Sequence, residues 1–414
     1  MRTAGVRAFL LASAIGLLLI ASTFADNWPQ FRGPLRDGRS AETGLLKSWP
    51  DGGPKLLWTS KEAGIGFSGP AVVGNRLFTM GMDENEEFVL CMNVQDGKRL
   101  WRVKNGPTYK NSYGDGPRCT PTVDADRIYA QGASGDLCCL KLDTGQEIWR
   151  MNILEKFEAS NIQWGISESP LVEGSLLIVT PGGKKGTIVA LDKMTGATVW
   201  TSKDPWGDGT EEAGYASPIA FTVGSLRQVA TFTAQGAIGV RLADGKFLWR
   251  YDKVANGTAN IATPVFHQDQ IFYSSNYGTG CALLQLKDDG TPNEIYFNKN
   301  LKNHHGGVVL HEGHVYGYDD STLVCLEWST GKQKWKDRSV GKGSITFAEG
   351  LLYVLSENGV MGLVRATPTE YQEVSRFKLP NLSDKPTWTY PVLANGRLYL
   401  RDQEQMHCYE IKVR

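Results

Sequence analysis

The chain has no charge of one sign to spare, since 44 Lys and Arg stand against 44 Asp and Glu. A surface without basic excess has little with which to displace counterions from a phosphate backbone, so nucleic acid is excluded as a default partner. Beyond its first 25 residues the chain also lacks any run long enough to span a membrane, and Lys/Glu/Leu-rich helical stretches are scarce. No cysteine occurs before Cys91, which removes the usual lipid attachment beside an export cleavage site. What is present suits short strands and tight turns: 47 Gly, 12 Trp and a hydrophobic fraction of 41%. That much apolar surface excludes disorder as a class.

Residues 1–25 read as a processing signal. Arg2 and Arg7 give a positive start, and Phe9 to Ala21 is an apolar run broken only by Ser13 and Gly16. Thr23 and Ala25 then place small residues where a signal peptidase needs them. The run falls short of the ~20 residues of a spanning helix, so the mature chain is expected to begin near Asp26. It would carry 42 basic against 44 acidic residues. The expected product is periplasmic or secreted, soluble, without a membrane span, and monomeric.

A short unit recurs along the rest of the chain. Asp96-Gly97, Thr144-Gly145, Thr195-Gly196, Asp244-Gly245 and Thr330-Gly331 are each followed, four residues after the Gly, by Trp101, Trp149, Trp200, Trp249 and Trp335. Each is preceded by a strand-like stretch, so each reads as strand, Gly turn, strand. A second signal opens each unit: Gly69-Pro70, Thr120-Pro121, Ser169-Pro170, Ser217-Pro218, Thr263-Pro264 and Tyr390-Pro391, with Val308 and Ile345 at the same spacing without Pro. Eight units of roughly 40–50 residues and four strands each have the period of propeller blades.

The ends fit that count. The eighth unit stops after three strands, and an orphan strand, Lys55-Leu56-Leu57-Trp58, precedes the first unit. Pairing the two leaves no open edge. The expected fold is an all-β, eight-bladed β-propeller of four-stranded antiparallel blades, closed by its N-terminal strand. Residues 26–54 form an extended strap, and 55–414 the propeller, with 55–60 completing the last blade. Trp58, Trp101, Trp149, Trp200, Trp249 and Trp335 are expected to pack between blades, each indole N–H within reach of a neighbouring blade's backbone.

Unit 3 runs from Ala190 and Asp192 through Thr195-Gly196 to Trp200. This matches the tryptophan-docking pattern A-x-D-x-x-T-G-x-x-x-W at every defined position, so the chain resembles the pyrroloquinoline-quinone (PQQ) β-propeller repeat family. Units 2 and 6 keep Thr-Gly and Trp but have Cys139 and Cys325 for Ala, and Lys141 and Glu327 for Asp; units 1 and 4 keep Gly and Trp. The opening Asn27-Trp28-Pro29-Gln30-Phe31-Arg32-Gly33-Pro34 is similar to that of many exported bacterial members. The resemblance implies one of two functions. Quinoprotein alcohol and sugar dehydrogenases hold PQQ and Ca²⁺ over the channel mouth. Members of the outer-membrane assembly factor B type keep the propeller, carry no cofactor and bind partner proteins.

The connectors from Trp to the next Pro are 20, 21 and 18 residues long after units 1 to 3, and shorter after units 5 and 6. Long loops concentrate binding residues. They carry Tyr109, Tyr113 and Arg118, then Asn161, Trp164 and Glu168, then Trp206, Glu211 and Tyr215, while Trp388 and His304-His305 approach the same mouth from the far side. Aromatics beside Arg and Glu suit a planar anionic cofactor, a sugar or a peptide, although the same side chains could simply pin their own loops. Gly306 and Gly307 beside His304 permit close backbone approach. His311 and His314 have ligand-like spacing but fall on a solvated turn, and no residue set is assigned to a metal.

Cys138 and Cys139 invite comparison with the vicinal disulfide of several family dehydrogenases. They occupy the small-residue slot of a third strand, where adjacent side chains face opposite ways, so they are read as structural. The preferred function is a non-catalytic binding scaffold with no cofactor, taking a protein or small-molecule ligand at the mouth. It departs from the assembly-factor type in having no lipid-attachment Cys. The alternative is a PQQ- and Ca²⁺-dependent dehydrogenase, for which the resemblance implies Trp164 or Trp388 as ring platform and Glu168 as metal ligand or catalytic base.

Overall fold

The computed structural model describes residues 27–203, 205 and 212–413. The expected signal segment 1–25, together with Trp206 and Glu211, lies outside the described residues. Eight separate four-stranded antiparallel sheets form the ring, spanning 71–106, 122–152, 171–202, 219–251, 265–298, 308–337, 343–378 and 392–410. They are blades 1 to 8. The fourth strand of blade 8 is Lys55–Ser60, which pairs antiparallel with Gln405–Glu410, Leu56 opposite Tyr409 and Trp58 opposite Cys408. The two ends of the chain thus share a sheet. Arg401 of blade 8, 1% exposed, ties that blade to its neighbour by donating to the Met80 carbonyl of blade 1 and to that of Ser68 just before it, both at 2.7 Å. No helix among the described residues is long and apolar enough to cross a membrane.

The docking motif explains itself at atomic level. In unit 3, the Asp192 carboxylate accepts from the backbone N–H groups of Met194 and Thr195 and from the Thr195 hydroxyl. Gly196, at φ +73°, donates back to the Asp192 carbonyl, closing a turn that needs a left-handed residue. Absence of a side chain matters for a second reason. A Cβ on Gly97 or Gly245 would meet the indole of Trp58 or Trp200 at 2.6 and 2.4 Å. Among the six docking indoles, those of Trp58, Trp101, Trp149 and Trp200 lie against the glycine turn of the following blade.

Four of the six also donate forward to a carbonyl of the next blade: Trp58 to Val94, Trp149 to Lys193, Trp200 to Leu242 and Trp335 to Thr367, at 2.7–3.1 Å. Trp249 instead turns into its own blade and donates to Gln228. Blades 5 and 7 carry Tyr296 and Ser375 at the docking position. In four of the docked blades the indole sits about 6 Å from a second-strand aromatic: Trp58 from Tyr399, Trp101 from Phe78, Trp149 from Tyr129 and Trp335 from Tyr316. That partner is Phe272 in blade 5 and Tyr353 in blade 7, and each has an indole 5.9 Å away: Trp328 from blade 6, and Trp49 from the strap.

The Ser or Thr before the Pro of blades 2 to 5 has its own role. The backbone N–H of Thr120, Ser169 and Ser217 donates to the hydroxyl of Ser169, Ser217 and Thr263 respectively, one blade on, at 2.9–3.3 Å. This chain of bonds ties together the entries to the inner strands of blades 2 to 5. All seven cysteines are buried and free. Cys138 packs with Met80 and Ala130, and Cys139 with Tyr129 and Leu177, so their side chains lie on opposite faces of one sheet.

Candidate functional site: a blind aromatic mouth

The strap determines the shape of the channel. Trp28 exchanges two backbone bonds with Val72 of blade 1, and the Pro29 carbonyl accepts from Val123 of blade 2. The chain then crosses the channel to blades 7 and 8, where Ser40 donates to the Phe347 carbonyl and Leu46 to that of Ile411. Buried Arg36 donates to the carbonyls of Ser169, Pro170 and Pro218 on blades 3 and 4, and Arg32 to that of Val308 on blade 6. The strap is therefore a floor. A Cβ on Gly307, at φ +66°, would fall 1.9 Å from the Arg32 guanidinium, the close approach expected of a glycine there.

Above this floor lies a cavity of about 440 Å³, with Trp28, Phe31 and Arg32 among its lining residues. Two aromatic groups wall it. On one side Trp164 stands 6.0 Å from Tyr113 and 5.6 Å from Tyr215. On the other, Trp388 stands 4.9 Å from Phe67 and 5.5 Å from the His305 ring. Arg118 also lines the mouth, with its guanidinium 4.8 Å from the Tyr109 ring and a bond to the Gly114 carbonyl at 2.8 Å. It shapes its own loop as well as facing the cavity, and burial holds its pKa below the usual value.

The structure gathers Arg118, Trp164, Tyr215, His304, His305 and Trp388 at this cavity, and it places two sequence candidates elsewhere. Asn161 is exposed and donates to the Ala133 carbonyl at 3.0 Å, anchoring its connector. Glu168 is 2% exposed and turned into the ring wall, where it accepts from the Thr180 N–H at 2.5 Å. Burial pushes its carboxyl up to about 7, against the opposing pull of Arg36. Neither residue lines the mouth.

Sequence reasoning missed Tyr277, Lys342 and Glu357. Tyr277 and Glu357 sit on turns between the second and third strands of blades 5 and 7. In a four-stranded meander those turns fall at the same end as the inter-blade connectors, and that rule would have found them. The Glu357 carboxylate accepts from the Trp388 indole at 2.8 Å and lies 3.4 Å from Lys342 Nζ and 3.7 Å from His305 Nε2. His304 Nδ1 and His305 Nδ1 are 3.0 Å apart, and the Tyr277 hydroxyl meets His304 Nε2 at 2.9 Å. Burial pulls the His304 pKa down to about 4 and holds that of His305 well below the ordinary imidazole value. Both rings are neutral at physiological pH.

These residues do not fit Ca²⁺. The ion takes six to eight oxygen ligands, whereas Glu357 is the one carboxylate among the described lining residues and it stands beside two imidazoles and a lysine. The aromatic walls with Arg118 and Lys342 do fit a flat, anionic or peptide-like guest.

An eight-bladed, tryptophan-docked propeller with a floored aromatic mouth defines the class as a PQQ-like repeat propeller. The chain belongs to the family described as outer membrane protein assembly factor BamB, whose model matches residues 85–337 and 293–370. A relative of that name from Kangiella koreensis is 26% identical over 154 residues, 36% of this chain; the match spans 34%, about a third, of the relative's own length. The crystal structure of BamB from Moraxella catarrhalis superposes with a TM-score of 0.59, covering 84% of this chain and 95% of that one at 18% identity. A europium-containing methanol dehydrogenase reaches 0.69 over 92% and 91% at 14% identity. At these identities the two solved structures share the fold.

Proposed function

We propose that the chain is a non-catalytic binding scaffold, exported to the periplasm or beyond, that takes a protein or small-molecule ligand at the floored mouth. The observation that carries this reading is the pairing of two facing aromatic walls with cationic Arg118 and Lys342 over a closed floor. Rigid aromatic surface gives large contact area at low entropic cost, and the cations select an acidic or planar anionic partner. A photo-crosslinking residue at rim position Tyr113 or Tyr277, 59% and 48% exposed, is expected to yield discrete adducts in the producing cell. The same probe at Leu100, 52% exposed on an outer strand, is expected to yield none. Equal labelling at Leu100, or none at the rim, would sink the proposal.

The PQQ-dependent dehydrogenase reading draws support from the stacking tryptophans, Trp164 and Trp388, and has the donor set against it. Adding PQQ with Ca²⁺ to the purified chain is expected to give no dye reduction with alcohols or sugars. Stoichiometric cofactor binding with turnover would reverse the preference.

A further inference from the structure

We propose that His304, His305 and Glu357 form a site for a divalent transition-metal ion, with Zn²⁺ as the reference, opening into the mouth. One ligand atom from each of the three lies within 4.8 Å of the others. Tetrahedral ligands at 2.0–2.1 Å from zinc stand about 3.4 Å apart, so a side-chain shift of about an ångström would close the set. Two imidazole nitrogens and a carboxylate are borderline donors that suit Zn²⁺ and its neighbours and disfavour Ca²⁺ and Mg²⁺.

The hydrogen bonding points the same way. His305 Nε2 is buried, its side chain 10% exposed, and it has no hydrogen-bond partner while facing the Glu357 carboxylate at 3.7 Å. When His305 carries its proton on Nδ1, its Nε2 presents a lone pair to the Glu357 carboxylate, and His304 would bind through Nδ1, exchanging its 3.0 Å contact with His305 Nδ1 for the ion. A metal ion between the two would compete with Lys342, whose Nζ is 3.4 Å from the same Glu357 oxygen.

The surroundings are built to hold the three groups still. The Trp388 indole fixes the Glu357 carboxylate, the Tyr277 hydroxyl fixes the outer nitrogen of His304, and the Tyr390 hydroxyl donates to the His305 carbonyl. Such outer partners orient metal ligands and tune them. Asn303, 1% exposed, locks the loop itself by donating to the carbonyls of Gly307 and Tyr318 and accepting from the Gly307 N–H. With three protein ligands, the fourth position faces the cavity, the arrangement of zinc sites that keep a place for water or ligand. Lys342 now holds the carboxylate, and a dication would displace it.

The test is a calorimetric titration of Zn²⁺ into the untagged, chelator-treated full chain at neutral pH. One ion per chain is expected, with a heat that is lost, or an affinity weakened at least about tenfold, in His305→Ala and in Glu357→Gln. Gln at 357 can still accept the Trp388 bond, so the fold is kept and is checked by near-ultraviolet circular dichroism. Lys342→Met is expected to tighten binding by removing the competing cation, and His311→Ala to leave it unchanged. Wild-type protein that takes up no zinc, or uptake that responds to His311 and to none of the mouth variants, overturns the site. Neither result bears on partner binding, which the crosslinking reads separately.

Discussion

Glu168 shows how much a single side chain's surroundings decide. Its carboxyl is held from the ordinary 4.5 up to about 7 because burial disfavours the charge more than the Thr180 N–H and Arg36 favour it. Between those two values the folded state binds more protons than the unfolded state, so this group makes stability fall as pH rises. The difference amounts to about 3 kcal/mol at most. Comparing wild type with Glu168→Gln in urea from pH 4.5 to about 8.5 is therefore expected to show the wild type losing stability relative to the variant, with the gap levelling off above about pH 8. An unchanged difference across that window would refute the assignment. Glu87, likewise pushed up to about 7 by burial, acts in the same direction, while buried His407, pulled down to about 4, acts oppositely. The sequence placed Glu168 correctly on a long connector, but whether a loop carboxylate faces the mouth or the wall depends on backbone torsions that residue types do not encode. Glu357 was overlooked for the converse reason: it is a polar residue in an ordinary-looking turn, which only the rule for the end of the blade that a turn occupies singles out.

Among the structural elements, the blade-to-blade contact is the repeating unit of stability. Removing the Trp200 indole deletes its bond to the Leu242 carbonyl and uncovers the Gly245 turn. Trp200→Ala is expected to cost about 3–5 kcal/mol, read as a lowered urea midpoint. Trp49→Ala is expected to cost a similar amount, because the strap indole is the large side chain against Tyr353 and Phe377 in blade 7. A Trp49 variant as stable as wild type would show that blade 7 needs no docking indole. Five hairpins and all eight blade openings were legible in the sequence, since turn glycines and the Trp spacing are local chemistry. The substitutes Trp49 and Trp328 were not, because each enters from outside the repeat's register and only the assembled ring reveals the gap it fills.

Across the whole molecule, closure and floor are both supplied by the first sixty residues. Arg36 is buried with its charge, and burial draws its pKa down to about 10, so it stays cationic at neutral pH and satisfies carbonyls of two blades. Arg36→Ala would leave those carbonyls facing one another, at an expected cost of about 3 kcal/mol or more. Trypsin should then cut the strap while the ring is still folded; a strap as resistant as in wild type would count against its anchoring role. The pairing of Lys55–Ser60 with Gln405–Glu410 was legible from unit counting, whereas the course of the strap over the channel was not, since its residues follow no periodicity. The seam has a consequence for biogenesis. Ribosomes deliver Lys55–Ser60 long before Gln405–Glu410, so the edge of the earlier strand stays unsatisfied until its mate has been made. A chain that stops short of Gln405 has nothing to hide that edge and stays open to proteases and chaperones.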